Sequence, residues 1–181
     1  MSFKIDTFVS HLKQGGALGS LFECSVTGAK GEGAGIASAE FKFLCKEAVL
    51  PASTIEPGTV TYMGRALQIP GNRAAQQLTT TVYNDEDMSI RNNIESWMNM
   101  INSNQHNGRQ TGMSKINSYT GTLTVKQLSK EDQGAVKTYT FKDCWPSSCA
   151  EVALSWETNE IQTFGVTWEY NYWLSAEAGI S

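Results

Sequence analysis

SYTGTLTVKQLSKEDQGAVKTYTFKDCW, residues 118–145, decides the fold class. Thr120, Thr122 and Thr124 alternate with Leu123 and Val125 in its first arm, and Thr138 and Thr140 with Tyr139 and Phe141 in its second. That two-residue period belongs to a strand with one wet and one dry face. The polar run SKEDQGA at 129–135 supplies a turn between them, so the stretch reads as a β-hairpin with arms at 118–128 and 137–145.

Outward from this hairpin the pattern repeats. AEVALSW (150–156) and IQTFGVTWEYNYW (161–173) flank a polar turn and predict a second hairpin. Phe164, Val166, Trp168, Tyr170 and Tyr172 form its apolar face, while Thr163, Thr167, Glu169 and Asn171 form a face that is polar except for Trp173. Toward the N-terminus, Phe22, Cys24 and Val26 alternate with Leu21, Glu23 and Ser25, which predicts a strand at 20–27. GAKGEGAG (28–35) reads as a flexible loop. Phe41, Phe43 and Cys45 against Glu40, Lys42 and Lys46 predict another strand, ending at Leu50-Pro51. A small projecting hairpin is expected at 58–69, turning near Met63-Gly64-Arg65, and a strand at 76–84. Such a hairpin is marginal alone and needs a surface to lie on, which makes Thr61, Tyr62, Met63, Arg65 and Leu67 inter-subunit candidates.

One helix is expected, over 86–102. Asn84, Asp85, Glu86 and Asp87 suit its N-terminus, and Ile90, Ile94, Trp97, Met98 and Ile101 share a face opposite Arg91, Glu95, Asn99 and Asn102. Residues 1–19 read as a short helix or arm. The sum is a single mainly-β domain over 1–181, a β-sandwich or rolled barrel of about seven or eight antiparallel strands with one flanking α-helix.

Composition narrows the function. The chain has 181 residues, of which 40% are hydrophobic and 18% charged, and a net charge of −4. An acidic chain lacks the clustered Lys and Arg of a general DNA-binding domain. No apolar run approaches the roughly 20 residues of a membrane-spanning helix, so no membrane insertion is expected, and the N-terminus lacks a signal-peptide pattern. The four cysteines, Cys24, Cys45, Cys144 and Cys149, are expected to be reduced thiols without metal-ligand spacing. His11 and His106 have no nucleophile in a recognisable elbow, so no enzyme, cofactor or metal is expected. Asp85, Glu86 and Asp87 are explained by capping, and the glycines of 28–35 lack a P-loop context. Trp156, Trp168 and Tyr170 to Trp173 could line a sugar groove, although core is the simpler reading.

FLCKEAVLPASTIE, NDEDMSIRNNIESWMNMI, DCWPSSCAEVALSW and NEIQTFGVTWEYNYW, in this order and spacing across residues 20–173, resemble the tail tube proteins of contractile-tailed bacteriophages. The resemblance carries no catalytic motif. It implies a virion protein, assembled in the host cytoplasm, that forms hexameric rings whose inner sheets join into a closed barrel. Stacked rings would make a tube inside a contractile sheath, contacting baseplate and tail-terminator proteins and holding the tape-measure protein and then transiting DNA. The related tube of type VI or extracellular injection systems is the alternative it implies. The chain departs from shorter members by the insert at 28–35 and the polar stretch around 103–113.

With that resemblance, the threonine faces become lumen candidates: Glu40, Gln77, Thr79, Thr81, Thr120, Thr122, Thr124, Thr138 and Thr140, with Lys42, Lys126 and Lys142 as ill-fitting neighbours. Arg91, Glu95 and Asn99 become sheath-facing candidates.

Overall fold

The computed structural model describes residues 5–12, 15–28, 38–157 and 159–177. In chain order these form α1 (Ile5–His11), β1 (Phe22–Thr27), α2 (Ser38–Leu44), β2 (Cys45–Val49), β3 (Thr54–Tyr62), β4 (Arg65–Ala74), β5 (Leu78–Tyr83), α3 (Ser89–Ile101), α4 (Ile116–Tyr119), β6 (Gly121–Leu128), β7 (Ala135–Cys149), β8 (Thr163–Glu169) and β9 (Tyr172–Glu177). All pairings are antiparallel.

The first-read hairpin pairs as β6 and β7, with Thr124 opposite Thr140 and Leu123 opposite Phe141. β7 runs on to Cys149, and this extra length builds the rest of the molecule. Its first part lies between β6 and β9, while Trp145 to Cys149 pair with β8. The result is one seven-stranded sheet, ordered β1-β6-β7-β8-β5-β2 with β9 beside β7. Halfway, Asp143 takes a left-handed φ of 55°, and on the neighbouring chain β8 gives way to β9 at Tyr170-Asn171. Asn171 holds the corner by donating its N–H to the Lys142 carbonyl at 3.1 Å and its Nδ2 to Asp143 Oδ2 at 3.0 Å.

The bent sheet encloses one core. Cys24, Val26, Leu123, Val125 and Phe141 come from one half, and Leu78, Val82, Phe164, Val166 and Trp168 from the other. α3 caps it with Ile90, Ile94, Trp97 and Met100. Trp97 meets Trp168 at 5.9 Å between ring centroids and donates its Nε1 hydrogen to the Tyr119 carbonyl at 2.7 Å. Trp168 in turn donates to the buried Thr80 hydroxyl at 2.9 Å, so the one indole that closes the core from the sheet side leaves no polar atom unpaired. Gly121 permits the close passage of β6: a Cβ there would stand 2.4 Å from the Thr27 carbonyl and 3.0 Å from Trp97.

The ends of the sheet, β1 and β2, approach without pairing, so the protomer is a rolled sheet and not a closed barrel. α2 lies against β1 and sets Phe41 into the core beside Trp168, 6.2 Å away. Lys42 from α2 and Lys126 from β6 both pair with Glu23 on β1, at 3.0 and 3.4 Å.

Several sequence expectations are corrected. Strand alternation over 39–50 put Phe41 and Phe43 on one face, whereas Ser38–Leu44 is helical; Phe41 is buried and Phe43 is 79% exposed. Phe41, Leu44 and Cys45 follow the i, i+3, i+4 spacing of a helix turned inward, a pattern that short alternation hides. Residues 150–156 are not a strand, because β7 already occupies the β8 edge they would need. The strand at 161–173 is two strands, and the break at Asn171 exchanges faces: Tyr172 turns outward and Trp173 packs on the core. The helix starts at Ser89 and not at 86, with Asp85 accepting the Ser89 N–H at 3.0 Å. Four helices and nine strands stand among the described residues where one helix and seven or eight strands were expected. Residues 29–37, most of the glycine-rich insert, lie outside the described residues.

Two outcomes follow for stability. Trp97→Ala removes a fully buried ring and is expected to cost about 3–5 kcal/mol in urea unfolding, against little for the exposed Glu95→Lys. Glu23 has its pKa lowered, chiefly by the hydrogen bond from Lys42, so its contribution to stability is present above its ordinary value of 4.5 and is lost as pH falls through the folded value. The stability advantage of the native chain over Glu23→Gln, measured by urea unfolding across pH 3–6, is therefore expected to shrink on the acid side of that window.

Candidate assembly surfaces

No group of three or more His, Cys, Asp or Glu side chains suited to a metal ion occurs among the described residues. All four cysteines are free. Cys24, Cys45 and Cys144 are buried; the Cys24 thiol hydrogen-bonds to Cys45, and burial pushes Cys144 up to about 12, so it is protonated and inert near neutral pH. Of the aromatic residues considered for a groove, Trp168 is core and Trp156 stands fully exposed on the loop after β7, while Tyr170, Tyr172 and Trp173 line an open cleft beside Arg73 at the end of β4. What the fold presents outward is a set of surfaces.

The threonine candidates divide between two of them. On the half-sheet of β1, β6, β7 and β9, register puts Ser25, Thr124, Thr140 and Leu174 in one row, and Glu23, Lys126, Thr138 and Ala176 in another. Thr122 stands beside Lys142 there. On the half-sheet of β2, β5 and β8, Thr79 lies beside Thr167 and Val49, and Thr81 beside Gly165 and Glu47. Each set points away from the shared core, so Thr79 and Thr81 do not share a face with Thr122, Thr124, Thr138 and Thr140. Gln77 donates its side-chain amide to Glu169 beside the second set.

Two candidates lie on neither threonine face. Glu40 is on α2 and accepts the Ser89 hydroxyl at 3.3 Å. Thr120 is buried and gives its hydroxyl hydrogen to the Ile116 carbonyl, finishing α4. Lys42 and Lys126 are both held by Glu23.

A third surface is the β3–β4 pair, which forms a two-stranded sheet of its own. It is longer than the hairpin expected from sequence, and every residue from Thr54 to Arg73 is exposed. Register puts Val60 beside Leu67 and Tyr62 beside Arg65 on one face, with Thr61 beside Ala66 on the other, and Met63 at the turn. Gly71 lets the strands approach, since a Cβ would lie 2.5 Å from the Glu56 carbonyl.

The exposed side of α3 is the fourth. Arg91 donates to Glu95 at 2.8 Å and to the Ala150 carbonyl at 3.3 Å, with its guanidinium 5.5 Å from the Phe164 ring. It is thus tied to the body, while Glu95 and Asn99 face solvent. The polar stretch 103–113 folds back on this helix through hydrogen bonds such as Gln110 N–H to the Met100 carbonyl.

Comparison with known proteins finds structural tube proteins. The tail tube protein gp19 of Enterobacteria phage T4 is 32% identical over 134 residues, covering 74% of this chain and 80% of its own, and gp19 of phage T6 matches to the same extent. The fold is similar to a chain of the PVC sheath–tube complex, an extracellular contractile injection system in its extended state, with a TM-score of 0.61 at 12% identity over 98% of this chain and 100% of that one. A chain of the anti-feeding prophage tube-terminating cap gives 0.61 at 14% identity over 86% and 89%. The phage tail tube protein profile matches residues 17–176, nearly the whole described fold, and the chain belongs to that family.

Proposed function

We propose that six copies of this chain close into a ring and that rings stack into the inner tube of a contractile tail, inside the sheath and between baseplate and terminator. The tape-measure protein and then DNA would occupy the bore. The observation that carries this reading is an open ladder. β2 pairs only with β5, and Trp145 to Cys149 pair only with β8, so the half-sheet between them ends in backbone groups that no strand of the described chain satisfies. A copy on each side can extend it, and a cyclic array satisfies every edge at once.

Of the two threonine faces, we assign the bore to that of β2, β5 and β8. It carries Thr79, Thr81, Thr163 and Thr167 with Glu47 and Glu169, and Lys46 lies over Tyr83 at its margin. The other face carries Lys126 and Lys142 and the Glu23 cluster, and lysines lining a conduit would hold a polyanion through counterion release. The exposed side of α3, with Glu95 and Asn99 and the anchored Arg91, faces the sheath. The sequence likeness to phage tubes reaches 32%, whereas the injection-system likeness is one of fold, which favours a phage tail over a secreted tube.

Purified protein is expected to form rings or tubes without a cofactor, seen by negative-stain microscopy; a strict monomer at high concentration in the presence of a baseplate initiator refutes the reading. Deleting Thr61 to Leu67 is expected to leave a folded but unpolymerised protomer. In bare tubes, Thr79→Cys should react with a small maleimide and resist a bulky one, whereas Thr122→Cys reacts with both; the reverse moves the bore to the other face. Thr81→Arg should slow DNA ejection, most at low salt.

A further inference from the structure

Two cysteines meet at the seam of the rolled sheet. Cys24 lies within β1 opposite Val125, and Cys45 opens β2 opposite Val82, so both belong to the core and come from the two sheet ends that approach without pairing. α2 brings this about, because it lies against β1 and runs directly into β2 at Cys45. The Cys24 thiol hydrogen-bonds to Cys45, and the Cys45 thiol in turn donates to the Glu47 carbonyl at 3.5 Å. The β2–β5 ladder is irregular between Cys45 and Glu47, and β2 has no second partner strand among the described residues, so the backbone at Cys45 can shift without breaking a regular ladder.

The two sulfurs are not equivalent. Cys24 has no exposed surface, and the bond it donates to Cys45, together with burial, holds its pKa well above the ordinary thiol value. Cys45 is 9% exposed, and accepting that same bond lowers its pKa, so Cys45 is the first of the pair to ionise. A cavity of about 230 Å³ opens on the same seam, with Phe22, Lys46, Glu47, Val125 and Gln127 in its wall. It reaches the residue next to Cys45 and the residue paired with Cys24. The other thiols lack this arrangement: Cys144 is fully buried and protonated, and Cys149 is only half-buried, beside Arg91 and Glu95.

We propose that Cys24 and Cys45 form a peroxide-sensitive pair that closes the seam between β1 and β2 as a disulfide. The Cys45 thiolate attacks one oxygen of a hydroperoxide. The O–O bond breaks, and the other oxygen leaves as water or an alcohol after taking up the proton the thiol released, which makes Cys45 a sulfenic acid. The Cys24 sulfur then attacks the Cys45 sulfur, the S–O bond breaks, and hydroxide leaves with the Cys24 proton as water. Two thiols lose two electrons and one peroxide gains them. Thiol buffers keep such a pair reduced, and an oxidising medium keeps it closed. The covalent link stands where the rolled sheet has no ladder. It is a device of the single protomer and does not depend on the ring.

The folded native chain, treated with hydrogen peroxide and digested in acid, is expected to yield a peptide joining Cys24 to Cys45, two hydrogen masses lighter than its reduced halves and split by dithiothreitol. The linked chain should show a higher urea midpoint and unfold at least about tenfold more slowly, because β1 and β2 can no longer part. Cys149→Ser should keep both effects. Cys24→Ala should strand Cys45 as a sulfenic acid that dimedone labels, whereas Cys45→Ala should leave Cys24 a free thiol. The peptide map of the native chain decides the pairing even where a variant folds poorly. A link from Cys24 to Cys144, a link between two chains, oxidation confined to Cys149, or a Cys24–Cys45 link that forms only in urea overturns the pair; an unchanged urea midpoint overturns its role at the seam.

Discussion

The bend in β7 is the constraint on which everything else rests. A strand of fifteen residues that stayed straight would carry its partners in one open sheet, with half of its apolar side chains facing water. The left-handed Asp143 and the Asn171 bonds turn the ladder at one point, so the side chains on either side of the corner, Phe141 and Pro146, face the same interior. β6 stays with the first half and β5 with the second because each follows its own stretch of the bent ribbon. The core, the α3 lid and the two outward faces are consequences of that turn.

The corner also explains the polar bonds in the core. Two halves of a sheet meeting at an angle leave a wedge that aliphatic side chains fill poorly, and here Trp97, Trp168 and Phe41 fill it. Each indole brings an N–H that must be satisfied in the dry interior. Thr80 answers one and the carbonyl of Tyr119 the other, which places α4 and an inward-facing threonine in the structure for the same reason.

Much of this was legible because alternation reports which face is dry. Cys24, Val26, Leu123, Val125, Phe164, Val166 and Trp168 are all interior, as their spacing implied, and Ile90, Ile94 and Trp97 mark the buried side of the helix. Alternation does not report how far a strand runs or where a ladder bends. Hence alternation ends the strand at Trp145, puts another at 150–156, and gives Tyr172 and Trp173 each other's faces, where the structure runs β7 on to Cys149 and turns at Asn171. Seven residues at 38–44 offer too few turns to separate a helix from a strand, so alternation there reads Glu40 as a strand position where the structure has α2. The division of the threonines between two faces was invisible for a further reason. Strand order is set by long-range pairing, and Thr79 and Thr122 look alike until β5 is seen to pair with β8 and not with β6. The cleft beside β9 gave no signal, since its walls come from segments a hundred residues apart.

A protomer with these features is incomplete by ordinary standards of sheet design. Edge strands are commonly shortened, charged, covered or closed. β1 is covered by α2 and tied through Glu23 to two lysines, so the chain does use such devices where pairing is unwanted. β9 carries neither lysine nor proline from Tyr172 to Glu177, whereas the end of β7 holds Pro146 and the hairpin strands hold Pro57 and Pro70. An isolated two-stranded hairpin gains too little from its own ladder to offset the ordering of its backbone, and this one presents Val60, Tyr62, Leu67 and Ile69 to water along one face. Burial of that face between copies would return apolar area that the rolled core alone leaves unused. On the proposed tube reading, stability of the hairpin and formation of the assembly would be one equilibrium, each added copy covering the apolar face of another.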